Sequence, residues 1–158
     1  MKRILPASAL AAACFAAVCL LGAGVAADNA APPMLDALYP NGRMTLPLTA
    51  LAERVTLAPG EAQRVVELAR DAGTSQHLVA IRGQETPHRH DRHDLLVVML
   101  RGHGRMRIGA DERAVGEGSI LYVPRGSVHA FRNEAAEPAV AFAVYTPAFD
   151  GRDRVTAP

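Results

Sequence analysis

Short apolar runs separated by turn residues dominate the chain after about position 50. The runs are bounded by Gly, Pro, Asp and Asn at spacings near ten residues, a pattern typical of antiparallel strands in a sandwich or barrel. The segment GEAQRVVELARDAG has a helical alternative, but Val65 and Val66 beside alternating charges fit a strand at least as well. The sequence therefore predicts an all-β fold without a long helix. The eight runs are ERVTLAP, QRVVELAR, QHLVAIRG, DLLVVMLRG, GRMRIGA, SILYVPRG, VHAFRN and AVAFAVYTP.

The first 27 residues have the pattern of a secretory signal peptide. Two basic residues precede an apolar run from Ala7 to Leu21, and small residues end the segment at Ala27. The run is short for a membrane span of about 20 residues, so we expect cleavage after Ala27 and no membrane span in the mature form. A periplasmic or secreted protein is predicted. Acylation at Cys14, which follows three alanines, is a minor alternative that would leave a lipid anchor.

The remainder of the chain divides into three parts. Residues 28–47 are rich in Pro, Ala and Gly without a clear period, which predicts an extended N-terminal arm on the domain surface. The strand pattern predicts one barrel domain over residues 48–150, and residues 151–158 are expected to form a C-terminal tail. A single domain fits a chain of 158 residues, 49% of them apolar.

Composition limits the partners and metal ligands that can be expected. The formal net charge is +1 and the basic residues are scattered, so no basic stripe predicts a nucleic-acid partner. Both cysteines, Cys14 and Cys19, lie in the predicted signal peptide. The mature domain is therefore expected to contain neither a disulfide nor a thiolate metal ligand.

Three of the six histidines lie in the segment PHRHDRHD, residues 87–94. On a β-strand His88 and His90 would project from one face with backbones roughly 7 Å apart, so both imidazoles could reach one metal ion. On these eight residues alone, a solvated polar turn explains the histidines equally well. Two isolated histidines, His77 and His103, are expected to be solvated.

A further ligand requires the chain to turn after His90. A straight strand would carry position 94 roughly 13 Å away, so we expect a turn at residues 91–92 and a neighbouring antiparallel strand that returns Asp94 or His93. These two residues point to opposite faces, and only one can be inside. A surface position is expected for His93. Arg82 and Glu85 precede this segment and could supply a polar or proton-transfer group.

Another donor, His129, follows a turn at Pro124 and Gly126. The spacing of Gly118, Pro124, Gly126, His129 and Asn133 matches the second sequence motif of the cupin superfamily without a mismatch, and residues 83–102 resemble the first motif. The chain is similar to small single-domain secreted bacterial cupins over roughly residues 60–146. The first motif departs in two spacings that involve its glycines and in having aspartate at position 94, where the family has glutamate.

The resemblance implies a jelly-roll barrel of two antiparallel sheets with a divalent transition metal near one mouth. It implies that His88, His90, Asp94 and His129 bind this metal. An aspartate one methylene shorter than glutamate could shift the ion or bind it through a water. Nitrogen and oxygen donors suit Mn, Fe, Co, Ni, Cu or Zn without choosing among them.

Two classes of function are consistent with such a site. The first is a metal-dependent enzyme of the dioxygenase, isomerase or decarboxylase type, acting on a small carbonyl or carboxylate compound. The second is a non-catalytic protein of the cell envelope that binds a metal or a small ligand. A small-molecule partner is expected in both, and a homodimer that pairs through sheet edges is a further expectation.

Overall fold

The computed structural model describes residues 30–157, and the compact unit begins at Pro32. The predicted signal peptide, residues 1–27, lies outside the described residues. The described elements are β1 (Met34–Tyr39), β2 (Gly42–Pro47), α1 (Leu48–Ala52), β3 (Gln63–Arg70), β4 (Ser75–Ile81), β5 (His88–Arg89), β6 (Asp94–Arg101), β7 (His103–Ile108), β8 (Asp111–Gly116), β9 (Ile120–Val123), β10 (His129–Asn133), β11 (Ala139–Thr146) and β12 (Val155–Thr156).

Two five-stranded antiparallel sheets form the barrel, as predicted. Sheet I has the strand order β12-β5-β10-β7-β8, and sheet II has the order β3-β4-β11-β6-β9. Strands that follow one another in the sequence often lie in different sheets, so the chain crosses between the sheets repeatedly. This alternation gives the all-β jelly-roll fold.

Two groups of buried apolar side chains stabilise the fold. One fills the space between the sheets and includes Met99, Phe131 and Tyr145. The other lies on the outer face of sheet II, where Leu51 and Val55 cover Leu78. Because sheet II is covered on both faces, β4 is buried at nearly every position and lacks the alternation of a half-exposed strand.

Most of the predicted runs are strands, and the ambiguous run is β3 rather than a helix. The run ERVTLAP, residues 53–59, forms no strand and follows the short helix α1. The segment DERAVG, which is β8, was not predicted because four of its six residues are exposed and its apolar content is low. The prediction depended on apolar runs, and an exposed edge strand such as β8 does not contain one.

The predicted extended arm is largely a β-hairpin. Strands β1 and β2 pair from Met34↔Pro47 to Tyr39↔Gly42 around a turn at residues 40–41. Alternate side chains face the domain, and two of them, Leu35 and Leu46, pack against the outer apolar cluster of sheet II. A period of two was therefore present, although exposed Met34 and Leu38 obscured it.

The predicted C-terminal tail is also ordered. Strand β12 pairs with β5, matching Val155 with Arg89 and Thr156 with His88. Asp153 is only 4% exposed. In the part of the chain that the structure describes, no helix has the length and apolar character needed to cross a membrane.

A glycine in β7 allows the close approach of β10. A Cβ at Gly104 would collide with the carbonyl oxygen of Arg132 and lie 2.8 Å from the Phe131 ring. We expect Gly104→Ala to lower the free energy of unfolding by about 1–3 kcal/mol, measured by urea denaturation, because overpacking forces the strands to shift. Gly73→Ala is the control, since its Cβ would be 3.5 Å from Asp71 Oδ1. Equal losses in both variants would contradict this account.

Candidate metal centre

Three histidines converge at the end of the barrel interior. His88 is the first residue of β5, His129 is the first residue of β10, and these two residues are paired across the strands. His90 follows β5 and has the same parity as His88. One ligand atom from each imidazole can be chosen so that all three lie within 4.8 Å of one another. The structure thus brings together three of the four predicted metal ligands.

Backbone carbonyl groups orient all three rings. The Nδ1 atom of His88 lies 3.0 Å from the Thr86 oxygen, and that of His129 lies 3.0 Å from the Ser127 oxygen. The Nδ1 atom of His90 is hydrogen-bonded to the carbonyl oxygen of Asp153. When Nδ1 donates to a carbonyl, the Nε2 lone pair is left for another partner, which is the usual arrangement of a metal-binding histidine.

The remaining ring nitrogens fit a metal ion. Among residues 30–157, the Nε2 atoms of His90 and His129 are buried without a hydrogen-bond partner. Buried polar atoms almost always have a partner, so such a pair of orphaned acceptors requires an explanation. A divalent transition metal would satisfy both atoms together with His88, because neutral imidazole is a common ligand for such ions.

Burial also favours the neutral, metal-binding form of each ring. Desolvation, with further effects from His129 and Arg154, lowers the pKa of His88 to about 3. Desolvation lowers the pKa of His129 to about 4, and it also lowers the pKa of His90. At neutral pH the three rings are therefore uncharged with one proton each, and a metal that binds the other nitrogen would not have to displace a proton.

Asp94, predicted as the fourth ligand, is placed elsewhere. Its carboxylate accepts hydrogen bonds from the Arg125 backbone N–H at 2.9 Å and from Arg125 Nη2 at 2.6 Å. The Arg125 side chain is the main cause that lowers the pKa of Asp94 to about 2. The inward positions of β6 belong instead to apolar residues such as Leu95 and Val97, which line the barrel cavity.

The sheet topology explains this correction. The prediction required β6 to pair beside the strand of the histidines, but β5 is in sheet I and β6 is in sheet II. The turn at residues 91–92 carries the chain across the barrel instead of into a hairpin. At position 94 the side chain then has outward parity, which directs it to Arg125.

His93 is buried, although a surface position was predicted for it. It is 3% exposed, with Nδ1 2.5 Å from Asp153 Oδ2 and Nε2 3.3 Å from the Ala148 oxygen. Both ring nitrogens face protein acceptors rather than the three converging histidines. Strand parity correctly predicted that only one of residues 93 and 94 lies inside. That residue is His93, and it contacts Asp153 instead of joining the three histidines.

Asp153 links the C-terminal segment to the histidine segment. Its carboxylate accepts the backbone N–H groups of Asp91 at 3.0 Å and Arg92 at 2.8 Å, in addition to His93. Burial alone would raise the pKa of Asp153, but these hydrogen bonds lower it below its usual range. The same residue holds the turn through its side chain and His90 through its carbonyl group.

A cavity of about 160 Å³ opens beside the three histidines. Most of its lining is apolar, and Tyr145 and Phe149 stack at 4.7 Å with their edges or faces against His90. Glu85 is a polar exception. It accepts the Phe131 backbone N–H at 3.1 Å, and burial raises the pKa of its carboxyl group.

Several residues of the site were not found from the sequence. Asp153 and Arg154 lie in the predicted tail, where single charged residues gave no periodic or motif signal. His77 is 4% exposed and its Nε2 lies 2.8 Å from Ser75 Oγ, so the prediction that it is solvated was wrong. His103 is exposed, as predicted.

Asp153 provides a test of the supporting contacts. We expect Asp153→Ala to weaken metal binding by about 10–100-fold, because the lost carboxylate holds the turn that follows His90 and so helps to position that ligand. The measurement is competition with a chromogenic chelator on protein shown to be folded by circular dichroism. Asp150→Ala is the control, because Asp150 pairs with exposed Arg92 on the surface. Unchanged affinity in Asp153→Ala would show that the turn and His90 hold their positions without this carboxylate.

Known proteins with similar sequences or structures support the barrel fold described above. Residues 77–145 match the cupin domain family. An uncharacterised protein of Aquifex aeolicus (strain VF5) is 36% identical over 91 residues, covering 58% of this chain and 74% of that protein. The crystal structure of TT1209 from Thermus thermophilus is 25% identical with a TM-score of 0.55, covering 61% of this chain and 94% of that one.

A second solved structure shows the same fold. A Klebsiella pneumoniae protein with a double-stranded β-helix domain is 18% identical with a TM-score of 0.57, covering 67% of this chain and 92% of that one. The sequence motifs, the strand topology and the match to the cupin domain family agree, and the chain belongs to the cupin superfamily.

Proposed function

We propose that this cupin binds one divalent transition metal through His88, His90 and His129 and acts on a small molecule in the barrel cavity. The reaction class is that of a metal-dependent dioxygenase, isomerase or decarboxylase with a small carbonyl or carboxylate substrate. The observation that carries the proposal is the pair of buried, unpartnered Nε2 atoms of His90 and His129 beside His88.

Three protein ligands are typical of a metal site that also binds substrate or water, whereas a structural site usually has four. Three protein donors leave coordination positions open on an octahedral or tetrahedral ion. A divalent metal bound there would supply Lewis acidity and places for a ligand to bind. The protein supplies neutral imidazoles, an apolar cavity that excludes water, and fixed ring orientations from backbone carbonyl groups.

Glu85 favours an enzyme over a protein that only binds a metal or ligand. Its carboxyl group lines the same cavity as the three histidines. Burial raises the pKa of Glu85, while the Phe131 N–H, the Arg154 charge and Gln63 oppose this rise. A carboxyl group with a raised pKa keeps its proton to higher pH than an ordinary glutamate does, which is a property that suits a general acid or base. A simple metal carrier has no need for such a group.

Metal content tests the proposed ligands directly. We expect about one transition-metal ion per wild-type chain by elemental analysis, and less than about a tenth of that in His88→Ala or His129→Ala, because two imidazoles alone hold such ions weakly. Asp94→Asn and His103→Ala should retain wild-type metal content, since neither side chain belongs to the triad. Circular dichroism of each variant verifies that the barrel is folded. Metal loss in Asp94→Asn, or full metal in the triad variants, would refute this ligand set.

We also propose that residues 1–27 direct export and are then removed. The support is the sequence pattern alone. In a bacterial host, intact mass and N-terminal sequencing of protein from the periplasmic fraction should give a chain that begins at Asp28. A chain that begins at a lipid-modified Cys14 would identify the lipoprotein alternative, and an intact chain in the cytoplasm would exclude export. Ala27→Leu is the control, because it should block cleavage without changing the apolar run.

Association into a homodimer stays a prediction. The edge strands of the two sheets are β12, β8, β3 and β9, and β9 exposes Ile120 and Tyr122. The N-terminal segment, which was predicted as an extended arm, pairs with itself as the β1–β2 hairpin.

A further inference from the structure

Arg154 stands at the opening of the barrel cavity. The residue is exposed, yet it lines the cavity together with the three histidines and Glu85. After burial, its charge is among the influences that lower the pKa values of His88 and His129. Among residues 30–157, no carboxylate lies within 4.0 Å of its guanidinium, so this cation is not neutralised by an ion pair there.

One of the two hydrogen bonds of the Arg154 side chain is incompatible with a metal on His88. Arg154 Nη2 lies 3.2 Å from His88 Nδ1, and its other side-chain contact is the Thr86 oxygen at 3.5 Å. A His88 ring that binds an ion through Nε2 carries its proton on Nδ1 and donates it to Thr86. Arg154 and Nδ1 would then both be donors. Metal binding therefore leaves the guanidinium without its closest acceptor, at the edge of the cavity.

The cavity lining combines a small set of polar groups with a larger set of apolar ones. Gln63, Glu85, Arg154 and the three histidines supply the polar groups, and the remaining lining is apolar or aromatic. A ligand that fits must place its charged or polar end near Arg154 and the histidines and its apolar part against side chains such as Val97 and Met99. The Glu85 carboxyl group already accepts hydrogen bonds from the Phe131 N–H at 3.1 Å and from Gln63 Nε2 at 3.2 Å, so both of its oxygens have protein partners.

We propose, on the basis of the function proposed above, that Arg154 binds the carboxylate group of a small monoanionic ligand whose apolar part occupies the cavity. A guanidinium matches the two oxygens of a carboxylate with two parallel N–H donors. One unpaired arginine balances one negative charge, whereas a phosphate dianion calls for several cationic or backbone donors. The substrate class is thus narrowed to a small carboxylic acid with an aliphatic body.

The test uses 4-methylpentanoate and its neutral amide as probes in isothermal titration calorimetry. Wild type, Arg154→Gln and Arg152→Gln are compared after loading with Zn²⁺, and the zinc content of each sample is measured. Arg152 is the matched control because it is an exposed arginine two residues away that does not line the cavity. Metal-free samples of the same three proteins form a second arm.

Wild type and Arg152→Gln should bind the carboxylate at least about tenfold more tightly than the amide. Arg154→Gln should lose about tenfold or more in carboxylate affinity, as expected when a charge-assisted hydrogen bond is removed, and should bind the amide as wild type does. Equal carboxylate affinity in Arg154→Gln and wild type overturns the inference, as does a wild type that fails to bind the carboxylate or to prefer it over the amide. A wild type that retains no zinc refutes the proposed metal site, and the metal-free arm then decides the role of Arg154 independently.

Discussion

The three hydrogen bonds from histidine Nδ1 atoms to backbone carbonyl groups are the contacts on which the site depends. Two of them are local, because Thr86 and Ser127 each lie two residues before the histidine that they orient. The third is distant, since Asp153 lies 63 positions from His90. Carbonyl groups fix the direction of each ring, and although these hydrogen bonds raise the pKa of each imidazole, desolvation outweighs them and keeps the rings neutral. Burial penalises the charged form of all three rings and so leaves three neutral imidazoles that could bind a metal.

The jelly-roll topology turns separate stretches of sequence into this site. β5 and β10 are neighbours in sheet I, which places His88 opposite His129. Strand β6, which follows β5 in the chain, belongs to sheet II and presents apolar side chains to the cavity from across the barrel. One face of the cavity therefore carries the polar chemistry, while the facing sheet supplies an apolar wall. This division follows from strand order and needs no flexible loop to assemble it.

Residue spacing predicted the fold and the three histidines because each depends on local pattern. Alternating and continuous apolar runs mark strands, and the motif around His129 fixes a turn and the strand that follows it. Asp94 required knowledge of which sheet holds β6, and apolar runs carry no information about sheet membership. Asp153 was beyond prediction for another reason. It is a single acidic residue in a polar segment, and its role arises only when β12 pairs with β5.

Because His90 depends on a distant contact with Asp153, the presence of the three histidines does not by itself complete the site. All three histidines lie within residues 77–145, the range that matches the family, whereas the carbonyl group that orients His90 lies beyond it. During synthesis the centre cannot acquire its full geometry until the ribosome has passed position 153. A chain cleaved after β11 would keep all three histidines and lose the carbonyl group that orients His90, so its affinity for a metal could not be inferred from the histidines alone.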